Sequence, residues 1–254
     1  MIIDGMIAKK ALRRAFAYAK TTRSIAKSSE ECVIFGSGPS LDNLNSAANF
    51  LNGKDLIGCN FVHQHIALKE KRFKIITMID RDYTKQINDD YFKELTSDYF
   101  FVSTKNVELL ALKHLVRKSL GVIPTKKFTT REEINREDIL LGNRLCTGNS
   151  LPFLIQLAAF VAGYKKIFLF GVDHFDIDDL DEKENQNYEG YQGRELKSLR
   201  LSPKKLNYIN SLYDFVGDLC RFKGVTVINL TPDTKLTTFD SLLLPNLSSK
   251  EHGN

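Results

Sequence analysis

The sequence predicts an α/β fold with a single Rossmann-like, mostly parallel sheet flanked by helices. One observation is the alternation of short apolar runs, such as "KIFLFG" at 166–171, with longer amphipathic segments. Apolar runs of this kind are typical of parallel strands that are buried on both faces. The other is the stretch "FGSGPSL" at 35–41, which reads as a strand that enters a tight turn. With 254 residues and 43% hydrophobic side chains, the chain can form one large domain or two small ones.

Strands and helices are predicted in alternation along the chain. The predicted strands are Glu31–Phe35, Asp55–Asn60, Phe73–Asp80, Tyr99–Ser103, Lys166–Gly171 and Val225–Leu230. The predicted helices between them are Leu41–Leu51, His63–Lys71, Asp89–Thr96, Val107–Leu120, Ser150–Gly163 and Ser202–Phe222. Residues 121–142 have mixed polarity without a clear period, and we interpret them as a loop or insertion.

Residues 1–29 contain seven Lys or Arg residues and one Asp, interleaved with apolar residues. This pattern predicts a basic amphipathic helix before the first strand, followed by an α/β domain at 30–246 and a polar tail at 247–254. The helix either packs on the domain with a solvated basic face or contacts anionic lipid at a membrane surface. A nucleic-acid partner is not expected, because no nucleic-acid-binding motif accompanies the charge.

The four cysteines are scattered and form no metal-binding pair. We therefore expect reduced, mostly buried thiols. No signal peptide or membrane span is visible, so the predicted location is the cytoplasm, with possible contact to the inner face of the cell membrane through residues 1–29.

Polar residues follow several of the predicted strands at the point where each strand ends. In a parallel sheet these ends meet at one edge, where ligands bind. The residues expected there are Gly36, Ser37, Gly38, Pro39, Ser40, Asn60, Asp80, Arg81, Asp82, Asp173, His174, Asn229, Thr231, Pro232, Asp233 and Thr234. Asn60 could instead be a turn former and Asp80 a helix N-cap. Glycines in the first loop allow close approach of a ligand, and backbone N–H groups there can bind an anion.

A further polar cluster, "NRLCTGNS" at 143–150, precedes the apolar helix at 150–163. Its members are either helix N-cap residues or ligands for phosphate or carboxylate, because a helix N-terminus with nearby hydroxyl groups and Arg144 suits both roles. Residues 172–203 form a long polar segment, which we interpret as a lid over the same edge. Its acidic run lacks the calcium-binding pattern, so a solvated segment is expected rather than a metal site.

These motifs resemble those of the bacterial CMP-sialic-acid-dependent sialyltransferases of glycosyltransferase family 42, whose fold is GT-A-like. The resemblance covers residues 31–246 and rests on "GSGPSL", the "CN" that ends strand two, "RLCTG" at 144–148 with "GYKKIFLFGVD", and "LTPDTKLTTF". It implies a transferase that moves sialic acid, another nonulosonate or Kdo from a CMP donor to a glycan or lipid-linked saccharide, with no cofactor. Such a reaction belongs to the synthesis of lipopolysaccharide, lipooligosaccharide or capsule. Related transferases form oligomers, so a homo-oligomer is possible by analogy.

The resemblance also implies site residues. The family's donor-binding roles fall on Gly36, Ser37, Gly38, Pro39, Asn60, Arg144, Thr147 and Gly148. Our full donor-binding set adds Ser40, Asp80, Asn149, Ser150, Asp173 and Tyr188. The sequence departs from the family in the lid, where Tyr191 replaces the histidine that deprotonates the acceptor, and at Phe175, which replaces a phosphate-binding tyrosine. A tyrosine with its usual pKa near 10 is a poor base at neutral pH. We name two candidate bases: Tyr191, because it stands at the position of the lid histidine, and His174, because it is next to Phe175.

Two alternatives remain open. The first loop also resembles a broader group of the same fold that includes flagellin nonulosonate transferases and archaeal pterin pyrophosphokinases. In a pyrophosphokinase, Asp80 and Asp82 would bind Mg²⁺. The missing lid histidine also fits a degenerate transferase that only binds a nucleotide. A dinucleotide-dependent dehydrogenase is not expected, because the third glycine of its fingerprint is missing.

Overall fold

The computed structural model describes residues 25–79, 91, 94–103, 120–123, 125–128, 134–174 and 202–244. They form an eight-stranded sheet with the strand order β10-β9-β8-β1-β2-β3-β4-β5, in which every neighbouring pair is parallel. The strands are β1 Glu31–Phe35, β2 Asp55–Cys59, β3 Phe73–Met78, β4 Ser97–Ser103, β5 Leu120–Ile123, β8 Lys166–Phe170, β9 Thr226–Asn229 and β10 Asp240–Ser241. The predicted α/β fold with a parallel sheet is confirmed.

Helical segments connect the strands and cover both faces of the sheet. They are a 3-10 segment at Pro39–Leu51, a 3-10 turn at Val62–Gln64, and the α-helices α1 Arg136–Leu140, α2 Ser150–Gln156 and α3 Pro203–Phe222. A π-helical turn at Leu157–Ala162 continues α2. No helix in the described part of the chain is long and apolar enough to cross a membrane.

Several predicted elements differ from the structure. The segment 121–142, predicted as a loop, contains most of β5, all of α1, and β6 at Thr125–Lys127, which pairs with β7 at Leu145–Thr147 in a second, two-stranded sheet. These elements are too short to show a period in the sequence. The predicted helix at His63–Lys71 begins with the 3-10 turn at Val62–Gln64 and continues as turns. The predicted helices at 89–96 and 107–120 lie largely outside the described residues.

Two apolar cores pack on the two faces of the sheet. One contains α2, α3 and residues such as Ile57, Phe153 and Phe215. The other contains the Pro39–Leu51 segment with residues such as Phe35 and Phe73. All four cysteines are buried and none is in a disulfide, which confirms the predicted thiols. Burial on both faces explains why the strands read as continuous apolar runs.

The chain before β1 is fixed at the amino-terminal edge of the sheet. The Ala26 N–H donates to the Tyr99 hydroxyl at 3.1 Å, and the Ser28 N–H donates to Asp55 Oδ2 at 2.8 Å. Asp55 is buried and also accepts a 2.8 Å hydrogen bond from the Tyr164 hydroxyl. Residues 25–29, the end of the predicted N-terminal helix, are therefore non-helical and packed on the domain. Residues 1–24 and 245–254 lie outside the described residues.

We expect Tyr164→Phe to lower the free energy of unfolding by about 1.5–3 kcal/mol, because it removes one of the two hydrogen bonds to the buried Asp55 carboxylate. Urea denaturation measures the change. Tyr99→Phe is the matched control, since among the described residues its hydroxyl accepts from a neutral backbone N–H in an exposed contact. Equal losses in the two variants would contradict this account of Asp55.

Candidate active site

The loop after β1 packs tightly against the end of β8. The Gly36 N–H donates to the Phe170 carbonyl and the Gly38 N–H donates to the Gly171 carbonyl, both at 2.8 Å. A Cβ on Gly36 would lie 2.2 Å from the Gly171 oxygen, which no side chain can tolerate. These glycines therefore allow two backbones to approach each other. Their N–H groups are used within the fold, which corrects the expectation that they bind an anion.

Asp173 fixes the rest of this loop. Its carboxylate accepts hydrogen bonds from the Ser40 N–H at 3.1 Å and from the Ser40 hydroxyl at 2.9 Å. A Cβ on Gly38 would lie 1.7 Å from Asp173 Oδ2, so glycine is required for this contact. Ser37 and Pro39 are exposed at the tip of the loop. The structure thus places Ser37 and Pro39 where a ligand can contact them, and gives Ser40 and Asp173 a role in positioning the loop.

We expect Gly36→Ala to lower the free energy of unfolding by about 3 kcal/mol or more, because its Cβ meets backbone that cannot move without separating β1 from β8. Urea denaturation measures the loss. Gly53→Ala is the control: Gly53 has φ +74° and open space around its Cβ, so only backbone strain of about 1 kcal/mol is expected. If Gly36→Ala lowers the free energy of unfolding no more than Gly53→Ala does, then the loop is not tightly packed against β8.

Asn60 follows β2 at the same edge and has a left-handed backbone with φ 54°. Its N–H donates to the Thr77 carbonyl at 2.8 Å, and its carbonyl accepts from the Tyr91 hydroxyl at 2.8 Å. The side-chain Oδ1 is buried and has no hydrogen-bond partner among the residues that the structure describes. A buried, unsatisfied acceptor is costly unless a ligand donates to it. This observation places Asn60 among the ligand-binding candidates by its geometry.

The segment Thr147–Ser150 is fixed by two side chains, of which the sequence indicated Asn149 but not Gln156. Gln156 is fully buried and clamps β7 to α2: its Oε1 accepts from the Cys146 N–H, and its Nε2 donates to the carbonyls of Cys146 and Pro152. Asn149 is the N-cap of α2, because its Oδ1 accepts from the Leu151 N–H at 3.0 Å. The N-cap interpretation of Asn149 therefore holds in the structure.

Gly148 lies beneath the Tyr208 side chain of α3. The Tyr208 hydroxyl donates to the Phe128 carbonyl at 2.9 Å and lies 3.4 Å from the Thr147 carbonyl. A Cβ on Gly148 would lie 2.3 Å from the Tyr208 hydroxyl. Tyr208 thus joins α3 to the turn that starts α2, and glycine is needed at position 148 to make room for it.

The start of α2 lies against the ends of β1 and β2. Leu151 is 3.3 Å from the Cβ position of Gly36, and the Ser150 side chain forms a hydrogen bond with Cys59. Burial raises the pKa of the Cys59 thiol to about 12, although the bond with Ser150 opposes this shift. Cys59 is therefore a neutral packing residue. These contacts bring Gly36, Asn60, Ser150 and Asp173 to one edge of the sheet. The sequence predicted this edge for Gly36, Asn60 and Asp173, and placed Ser150 in a separate polar cluster.

His174 follows Asp173 and has φ 53°, a strained conformation for a residue other than glycine. Its Nε2 lies 2.5 Å from Oδ1 of Asn210 on α3, and its ring packs edge-on against Tyr213. An amide oxygen can only accept, so the proton of the neutral imidazole lies on Nε2 and Nδ1 is left as the acceptor. The side chain is half-buried. This arrangement suits a general base that acts through Nδ1.

The tyrosines of α3 near the site are poor bases. Burial raises the pKa of Tyr208 and of Tyr213 above the ordinary value for tyrosine. Both hydroxyl groups therefore remain protonated at neutral pH. Among the described residues around the site, His174 is the side chain best suited to accept a proton.

The end of β9 has a structural role. Asn229 is buried, accepts from the Thr231 N–H and donates to the Thr234 hydroxyl. The Thr234 hydroxyl donates to the Val172 carbonyl at 2.7 Å. These bonds fix the backbone that carries Asp173 and His174. The "LTPDT" motif therefore stabilises the backbone of the site.

The structure does not bring Arg144 to the helix start. Arg144 is exposed at the amino-terminal end of β7, whereas Thr147 is at the carboxyl end, about 10 Å further along an extended strand. Five other residues named from the sequence, Asp80, Asp82, Phe175, Tyr188 and Tyr191, lie outside the described residues, as does most of the predicted lid at 172–203. No group of His, Cys, Asp and Glu that could hold a metal ion occurs within the described ranges.

The fold and this edge define a class of α/β protein whose ligand site is at the carboxyl ends of the strands. Among solved structures, the chain is similar to the sialyltransferase CstII from Campylobacter jejuni in complex with a substrate analogue, cytidine 5'-monophosphate. The identity is 16%, 87% of each chain is covered, and the TM-score is 0.50. The resemblance to bacterial sialyltransferases that the motifs predicted is therefore confirmed for the fold.

A second similar structure is CST-II in complex with a trisaccharide acceptor and CMP, with 17% identity, a TM-score of 0.50, and coverage of 86% of this chain and 88% of that one. No protein-family model matches the chain, and no curated protein matches it by sequence.

Proposed function

We propose that the protein is an inverting glycosyltransferase that uses a CMP-activated acidic sugar, either sialic acid, a related nonulosonate or Kdo. The observation that carries the proposal is the unsatisfied Asn60 Oδ1 at the edge where the β1 loop, the start of α2 and His174 meet. The similar fold of CMP-bound sialyltransferases supports this choice of donor.

In this proposal the donor nucleotide lies against Ser37, Pro39 and Asn60. Asn60 Oδ1 accepts a hydrogen bond from the nucleotide, which satisfies an otherwise costly buried acceptor. The start of α2 at Ser150 presents the positive end of a helix to the phosphate or to the sugar carboxylate. Glycines 36 and 38 keep the loop seated on β8, so that its tip has a fixed position.

The transfer step needs a base for the acceptor hydroxyl. In our proposal, Nδ1 of His174 takes the proton as the acceptor oxygen attacks the anomeric carbon of the sugar. The bond between that carbon and the phosphate oxygen breaks, and CMP leaves as a phosphomonoester. We propose that this departure needs no metal ion. The acceptor is a glycan or a lipid-linked saccharide in the synthesis of cell-surface polysaccharide or lipooligosaccharide.

The direct test is CMP release from CMP-sialic acid and CMP-Kdo, with a saccharide acceptor and with EDTA present. Release that depends on both donor and acceptor supports the proposal. A reaction that requires ATP and Mg²⁺ would instead support the pyrophosphokinase alternative, in which Asp80 and Asp82 bind the metal. CMP binding without turnover of any donor would support a degenerate, nucleotide-binding protein.

A further inference from the structure

The amino-terminal edge of the sheet, opposite the candidate site, has an excess of positive charge. Five neighbouring strands, β9, β8, β1, β2 and β3, each begin with a basic residue or have one within four residues before their start. These residues are Lys223, Lys166, Lys27, Lys54 and Arg72. Because the strands are parallel, these residues lie along one edge, with neighbouring strands about 4.8 Å apart. We call this edge of the sheet, with the charged residues at and next to the strand starts, the basic edge.

The charge on the basic edge is only partly balanced by acidic residues. Ten basic and five acidic side chains lie at or next to the strand starts of this edge, in the ranges 27–31, 54–55, 69–74, 98, 165–166 and 221–223. Asp218, which forms an ion pair with Arg221, adds a sixth acidic side chain. One of the acidic residues, Asp55, is buried and bonded to Tyr164. Lys71, Lys165 and Lys223 are exposed, and Arg72 has 74% of its side chain exposed despite its bond to Asp98. The edge therefore presents a positive surface to solvent.

An exposed aromatic residue lies at the same edge. Phe222 ends α3 between Arg221 and Lys223, and 77% of it is exposed, more than any other large hydrophobic residue in the described part of the chain. The described chain also begins at this edge, where Ile25 is buried and the Ala26 N–H bonds to Tyr99. The preceding residues therefore join the domain there, and residues 1–29 carry seven basic residues against one acidic residue.

We propose that the basic edge is a docking surface for an anionic lipid bilayer, with Phe222 inserted among the headgroups. Basic side chains near an anionic membrane are attracted to its surface charge, and an aromatic residue between them adds apolar burial at the interface. An anionic bilayer is complementary to this edge, because the edge combines a broad row of cations with an exposed apolar side chain. The candidate site then opens away from the bilayer, because the five-residue strands β1 and β8, each about 17 Å long, separate the two edges.

The test is co-sedimentation of the full chain with vesicles of phosphatidylcholine, with or without 30% phosphatidylglycerol. We expect binding only to the anionic vesicles. We expect the double variant Lys165→Glu/Lys223→Glu to lower the partition constant at least tenfold and Phe222→Ser to lower it several-fold. The matched control, Lys204→Glu/Lys205→Glu, makes the same change in net charge at the other end of α3, where both lysines are exposed. This control should change the partition constant less than twofold.

Three outcomes would overturn the proposal. If the edge variants bind vesicles as the wild type does, the N-terminal segment binds lipid without the basic edge. If the edge and control pairs lose binding equally, only net charge matters. The same variants are titrated with a single-stranded oligonucleotide, and a larger loss for the oligonucleotide than for vesicles would identify a nucleic-acid surface instead. Unchanged thermal unfolding of each variant shows that it is folded, and none of these readouts depends on transferase activity.

Discussion

The variant His174→Asn should lose transfer activity by about 10²–10⁴-fold in kcat, the range expected when a general base is removed. Asparagine is chosen because it tolerates the left-handed backbone that the structure shows at this position, so the loop should keep its conformation. The affinity for CMP should change little, since His174 acts on the acceptor. Steady-state kinetics with a CMP-sugar donor, together with a CMP titration, separate the two effects.

Two comparisons make this prediction specific to His174. Tyr191→Phe should retain turnover, because an ordinary tyrosine is a poor base at neutral pH. Asn210→Ala should lower kcat by roughly tenfold, since it removes the acceptor that fixes the Nε2–H tautomer, whereas Asn210→Asp keeps an acceptor and should lose less. Full activity of His174→Asn, or loss of activity in Tyr191→Phe only, would assign the base to another residue.

Replacement of Asn60 by glycine should weaken CMP binding by roughly ten- to a hundredfold without lowering the stability of the free protein. Within the described part of the chain the buried Oδ1 has no partner, so its loss removes a penalty from the unliganded state and a hydrogen bond from the complex. Glycine also adopts φ 54° without strain. Calorimetric titration of CMP and urea denaturation of the free protein measure the two quantities.

Asp233→Gly is the matched control for this variant. Asp233 also has a left-handed backbone, with φ 51°, but it is exposed in the turn after β9. The Asp233→Gly variant should gain stability from the same relief of backbone strain, and it should bind CMP with the affinity of the wild type. If Asn60→Gly destabilises the free protein and leaves CMP affinity intact, then Asn60 has a purely structural role.

The parts of the fold that the sequence predicts well are those in which pattern and burial coincide. The strands at 31–35 and 166–170 are apolar on both faces and were found within one residue of their predicted ends. The three-residue strands β6 and β7 and the five-residue helix α1 were missed, because their length is below one clear period of either structure. Their position depends on contacts across the fold, such as the Gln156 clamp on Cys146.

The sequence predicted where the candidate site lies, but it did not predict how the residues of the site are bonded to one another. The rule that ligands bind at the carboxyl ends of parallel strands identified the loop at 36–40, Asn60 and Asp173–His174. It could not show that the Gly36 and Gly38 N–H groups bond to β8, because glycine serves backbone packing and anion binding equally well. Asn210 and Tyr208 were also missed, since a polar residue on an amphipathic helix is ordinarily solvent-exposed.

The donor site is tested by a calorimetric titration of the wild-type protein with CMP in the presence of EDTA. We expect saturable binding of one CMP per chain, without metal, that is lost or strongly weakened in Asn60→Gly and retained in Asp233→Gly. Absence of CMP binding, or binding of ATP only when Mg²⁺ is added, would contradict the assignment of this edge as the donor site of a CMP-sugar transferase.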